Sequence, residues 1–126
     1  MSRFTAGILA LALSLAACTS SDATSPTVSL TGTYSLKSVN GTPLPYTFSS
    51  SLVLTADVLT INTNGTYTDV ASYSNGTTTT EQGTYSNNNG AITFNDQTDS
   101  VVYSGSLSNS VLTEISGSYT EVFQKN

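Results

Sequence analysis

"VLTINTNGTYTDVASYSNGTTTTEQGTY", Val58 to Tyr85, decides the fold. Leu59 and Ile61 flank Thr60, the alternation of a strand with one buried face. Two Asn-Gly pairs follow, Asn64-Gly65 and Asn75-Gly76, each between segments of extended character. This dipeptide is the strongest short-range hairpin signal, because both central residues of a type I′ turn need positive φ. Asn40-Gly41 and Asn89-Gly90 repeat it on either side. Where the next residue is Thr these pairs also match a glycosylation sequon, but the turn reading accounts for their spacing.

The same stretch holds Gly65-Thr66-Tyr67 and Gly83-Thr84-Tyr85; Gly32-Thr33-Tyr34 precedes them and Gly117-Ser118-Tyr119 follows. Each triplet falls where a turn or bulge becomes a strand. Gly takes the unusual backbone angle, Thr or Ser extends and faces water, and Tyr turns its ring inward. The triplet is a folding device rather than a binding motif.

Outward from this stretch the pattern predicts strands over Thr33–Val39, Leu52–Ala56, Val58–Thr63, Thr66–Tyr73, Thr78–Tyr85, Ala91–Phe94, Val101–Leu107, Val111–Ile115 and Tyr119–Gln124. No helical segment is long enough for a parallel crossover, so neighbours pair antiparallel as a meander. The expected fold is all-β, a small up-and-down barrel of about eight or nine strands, whose closure removes exposed edges. Pro43 and Pro45 in "GTPLPY" predict an extended loop or a lid over one end. Alternation sends Tyr34, Leu36, Leu54, Leu59 and Ile61 inward, followed by Tyr67, Tyr85, Ile92, Phe94 and Tyr103. Leu107, Leu112 and Phe123 join them, as do Leu52, Val101 and Tyr119. Glu81, Glu114 and Glu121 are expected to point outward, where charged side chains ordinarily lie.

The 126 residues allow one domain. Charged residues make up only 9% of the chain, about a third of the usual share; Ser, Thr and Asn replace them. The net charge is −5. Such an acidic chain lacks the basic patch that nucleic acid requires, and anionic headgroups repel it, so membrane attachment must be covalent.

That attachment is predicted at the amino terminus. In "MSRFTAGILALALSLAACTSS" one Arg precedes an apolar run from Ala6 to Ala17, too short to span a bilayer but suited to a signal-peptide core. Leu15-Ala16-Ala17-Cys18 resembles the lipobox of bacterial lipoproteins. The resemblance implies cleavage of residues 1–17 and acylation of Cys18, with several chains giving a firm hold. Thr19, where the family's inner-membrane signal is Asp, points to the outer membrane in a diderm host, and otherwise to the outer face of the plasma membrane. Residues 18–29 form a lipidated Cys with a Ser/Thr-rich tether, and residues 30–126 the folded domain.

Gly32-Thr33-Tyr34, on the first strand of that domain, resembles the Gly-x-Trp of lipocalins with Tyr for Trp. The region "LTGTYSLKSVNGTPLP" is similar to lipocalin-like domains of small bacterial lipoproteins. The late Arg of that family has no counterpart, and Lys125 is the basic residue nearby.

The chain has no His, and its lone Cys is assigned to the anchor. Nucleophile–His arrangements are therefore excluded, no Gly-rich phosphate loop occurs, and no cofactor is expected. Paired carboxylates are the remaining route to catalysis, and the chain reads as non-enzymatic. Asp96 and Asp99 could touch Ca²⁺ through oxygen ligands, although an ordinary acidic turn explains them. The function expected is binding, with a small hydrophobic ligand as the candidate, by tyrosines at the barrel opening: Tyr46, Tyr67, Tyr85 and Tyr103. The alternative is a solid barrel that contacts or inhibits another envelope protein.

Overall fold

The computed structural model describes residues 29–126; Cys18, the signal segment and the tether up to residue 28 lie outside the described residues. Ten strands follow one another in a single sheet: β1 (Gly32–Val39), β2 (Thr42–Pro43), β3 (Tyr46–Ser49), β4 (Leu52–Ile61), β5 (Thr66–Tyr73), β6 (Thr78–Asn88), β7 (Ala91–Asp96), β8 (Val102–Ser108), β9 (Val111–Ser116) and β10 (Tyr119–Lys125). Every pairing is antiparallel. Strands β4 to β10 form an unbroken meander, β10 pairs with β1, and β1 pairs with β4. Eight strands thus close a barrel, as the hairpin signals predict.

Closure is partial along the β1–β4 seam. Gly32–Ser35 pair with Val58–Ile61, and beyond them the two strands separate. The far end of β1 pairs with β2, and the near end of β4 with β3. The prolines therefore do not produce a free loop. The backbone groups that the widening seam would orphan are taken up by these two short rim strands, which sequence reasoning missed. β4 is also one strand rather than two: its register shifts between Leu54 and Ala56, and Asp57 pairs in regular register with Ala71.

The Asn-Gly pairs divide into two kinds. At Asn40-Gly41 and Asn89-Gly90 both residues have positive φ, as a type I′ turn requires. At the other two only Gly does, and Asn accepts hydrogen bonds instead: Asn64 Oδ1 from the Thr66 amide at 3.1 Å, and Asn75 Oδ1 from the Thr77 amide at 3.0 Å. These are Asn-anchored turns with a left-handed Gly at the bulge.

The core consists of Tyr34, Leu36, Leu54, Leu59, Ile61, Tyr67, Ile92, Phe94, Tyr103, Leu112 and Phe123, all expected, together with Leu30 and Val39. Tyr85 and Leu107 are half-buried against it. Three inward assignments are corrected. Leu52 and Val101 lie at strand ends and are exposed, while Tyr119 is 39% exposed at the rim. The triplet rule is corrected at Gly83, which sits in ordinary extended backbone. A side chain there would collide with the Asn95 carbonyl and the Tyr67 ring, so close approach explains this glycine.

Candidate functional site

The larger correction concerns charge. Glu114 is 2% exposed rather than outward, and Glu81 and Glu121 are half-buried. With Asp57 and Asp69 they line a cavity of about 230 Å³ in one half of the barrel. Asp96, 4% exposed, lies opposite Gly83 on the neighbouring strand. Six of the seven carboxylates of the folded domain are therefore turned inward, Asp99 being the exception.

Strand geometry places each of them. Leu112 points inward, so Glu114 two residues on does too, as do Asp57 with Leu59, Asp69 with Tyr67, Glu121 with Phe123 and Asp96 with Phe94. This spacing was readable: every acid stands two positions from a core aromatic or aliphatic residue, apart from Glu81, which precedes Gly83. Assigning charge outward by default hid it.

Pairing then sets the acids against each other. Asp69 faces Glu81 across β5–β6, and Glu114 faces Glu121 across β9–β10. Like charges in direct cross-strand register are destabilising. Among the described residues, no Lys or Arg lines the cavity. Burial pushes the carboxyls up. Glu81 and Glu121 rise to about 7, first by desolvation and then by their acidic neighbours. Glu114 stands well above the ordinary range for the same reasons. Burial raises both Asp57 and Asp69, and the close approach of the two carboxyls lifts Asp69 further while moderating the rise of Asp57. Oδ1 of Asp57 and Oε1 of Glu114 are buried without a hydrogen-bond partner.

The remaining lining is mainly aromatic and apolar, Phe48, Leu54, Ala71, Tyr73, Tyr103 and Tyr119, with the hydroxyl residues Thr79 and Ser116. Phe48 and Tyr119 pack edge to face at 5.3 Å, bringing the rim strand β3 against the start of β10. Beneath the cavity Tyr67, Phe94 and Tyr103 form a tight aromatic floor, and the Tyr103 hydroxyl donates to that of Tyr67 at 3.0 Å.

Of the four tyrosines expected to bind ligand, only Tyr103 lines the cavity. Tyr67 is part of the floor. Tyr85 spends its hydroxyl on the Asn62 carbonyl at 2.6 Å, closing a turn. Tyr46 packs against Phe48, outside the cavity lining. Asp96 and Asp99 are joined by Glu81: one oxygen from each lies within 4.8 Å of the others, and these three could hold a hard cation. Asp96 is no surface turn residue; its Oδ1 accepts the Thr98 amide at 2.7 Å while its Oδ2 is buried without a partner.

Chemically, such a chamber can neutralise a cation, or hold and pass protons between carboxyls of raised pKa. Compared with known families, residues 30–113 match the family described as the lipocalin-like domain. No curated protein matches the chain.

Proposed function

The chain belongs to the lipocalin-like domain family, and on that premise we propose that it is a lipid-anchored envelope protein whose barrel binds a small molecule in the carboxyl-lined chamber, without enzymatic chemistry. One observation carries this reading. A packed core fills part of the interior, while beside it lies a cavity of about 230 Å³ that the described side chains leave open. Buried polar atoms without partners in it are stabilised by an occupant that supplies donors. The lipocalin-like fold is consistent with a small hydrophobic ligand, and Phe48, Leu54, Ala71 and Tyr73 give the chamber an apolar side.

Acylated Cys18 tethers the barrel through residues 18–29 to the outer membrane of a diderm host, or otherwise to the outer face of the plasma membrane. The lipobox and the short apolar run before it support this location.

The chamber is tested by thermal-shift screening of the full chain in detergent against small organic molecules, beside Ala71→Trp, which fills the cavity. Compounds that raise Tm of the wild type and not of the variant support the reading; equal responses exclude the chamber.

A second reading rests on the outer wall. Val102 and Ile115 are 67% and 52% exposed on the outer face of the neighbouring strands β8 and β9, a surface suited to another envelope component. It predicts that Val102→Asp removes a partner crosslinked in intact cells and leaves small-molecule binding unchanged.

A further inference from the structure

We propose, taking the chamber as the ligand site argued above, that its occupant is a small aliphatic diamine or short polyamine, with one ammonium at each of two opposed carboxylate pairs. The opposition follows from topology. Around the closed barrel the order is β1, β10, β9, β8, β7, β6, β5, β4. The β9–β10 wall, with Glu114 facing Glu121, lies diametrically across from the β5–β6 wall, where Asp69 faces Glu81. Asp57, on β4, adjoins the second pair.

Each pair, when ionised, is a like-charge contact that a cation between its members turns into attraction. An ammonium brings three donors and no acceptor. That matches what the walls lack: Glu114 and Asp57, 2% and 6% exposed, line the chamber with an oxygen apiece that no donor reaches.

Two observations favour an organic cation over a metal ion. The one trio among the described residues with oxygens within 4.8 Å of one another is Glu81, Asp96 and Asp99. The carboxyls of the chamber walls do not converge on a point in that way, whereas a metal site needs several oxygens around one centre. The cavity is also lined by Phe48, Tyr73, Tyr103 and Tyr119, whose rings suit methylene groups and ammonium faces but supply no strong metal ligand. The volume of about 230 Å³ falls below the roughly 300–1,000 Å³ of drug-sized sites, so the occupant is a short molecule.

Titration calorimetry of the full chain in detergent micelles at pH 8 tests this, with 1,4-diaminobutane, 1-butylamine, 1,4-butanediol and calcium chloride as probes. The diamine is expected to bind one to one, at least tenfold tighter than the monoamine, with no binding of the diol. Glu114→Gln and Glu81→Gln, on opposite walls, are each expected to weaken the diamine tenfold or more, with circular dichroism unchanged. Absence of saturable diamine binding overturns the proposal, as does equal affinity for diamine and diol, or calcium binding that Glu114→Gln abolishes. If neutral compounds bind and Ala71→Trp blocks them while diamines do not, the chamber stands as a ligand site and only the cationic class falls. If nothing binds, both readings fall.

Discussion

Lys125 holds its ammonium 5.7 Å above the ring centre of Tyr34, its direct partner across β1 and β10. Tyr34 is fully buried and donates its hydroxyl to the Leu30 carbonyl at 2.6 Å, while Lys125 Nζ donates to the Ser29 carbonyl at 2.5 Å. The first and last strands of the barrel are thus fastened by one aromatic ring and one cation, where the lipocalin resemblance places a Trp and an Arg. Gly32 makes this possible, because a side chain there would meet the Lys125 stem at 2.8 Å.

Tyr34→Ala is therefore expected to cost about 3–5 kcal/mol, the usual loss for a large buried aromatic. Lys125→Met keeps the stem and removes the cation, and is expected to cost about 1 kcal/mol. Denaturant unfolding of the full chain measures both. A negligible effect of Tyr34→Ala would place the ring outside the fold's critical packing.

Stability is expected to fall as pH rises. The groups facing the chamber are Asp57 from β4, Asp69 and Tyr73 from β5, Glu81 from β6, Tyr103 from β8, Glu114 from β9, and Tyr119 and Glu121 from β10, with Asp96 of β7 beside them and no base. An acid whose pKa is raised by folding binds more protons folded than unfolded, so its contribution is greatest below about pH 4 and is lost through the folded pKa. For Glu81 and Glu121 that loss runs upward from the ordinary glutamate range and is complete just above their folded value of about 7. Thermal melts of ligand-free protein should give a higher Tm at pH 5 than at pH 8, the reverse of ordinary acid denaturation. Glu114→Gln is expected to raise Tm at pH 8, by roughly 4–8 °C per kcal/mol regained. A Tm that climbs from pH 5 to 8 would show that the chamber carboxyls are solvated.

Gly83→Ala is expected to cost roughly 3 kcal/mol, because the new methyl overpacks against the Asn95 carbonyl and the Tyr67 ring. Gly76→Ala, in open space with φ of 83°, carries only the backbone penalty of about 1–2 kcal/mol. Urea midpoints of the two variants, compared directly, decide whether close approach or turn conformation is the stronger demand.

The anchor has its own test. Labelled palmitate is expected to enter the wild-type protein, and Cys18→Ser to lose the label and appear in soluble fractions. Equal labelling of the two would remove the lipoprotein reading.

Much of the barrel was legible because its signals are local. Thr66–Tyr73 is bounded on both sides by Asn-Gly turns, and its predicted ends coincide with those of β5. The rim strands were not legible, since Pro43 and Pro45 argue against pairing and only the distant widening between β1 and β4 creates a place for β2 and β3. The chamber was half legible. Periodicity with Leu112 and Phe123 points Glu114 and Glu121 inward, but the cost of burying a carboxylate argues outward. That the same barrel would bury four further acids beside them is a fact of registers, visible only once the strands are paired.

The inward turn of the acids also changes what neighbouring molecules encounter. Among the described residues, few ionic groups remain on the outside; Asp99 and Lys37 are exposed there, amid Ser, Thr and Asn. A chamber carboxyl that stays protonated contributes no charge to the field beyond the wall. Two such barrels approach with less charge than their composition gives, and water held on hydroxyls and amides adds to the repulsion that remains. Electrophoretic mobility at neutral pH is accordingly expected to fall short of what eight acids and three bases would give, and solubility to change little with added salt.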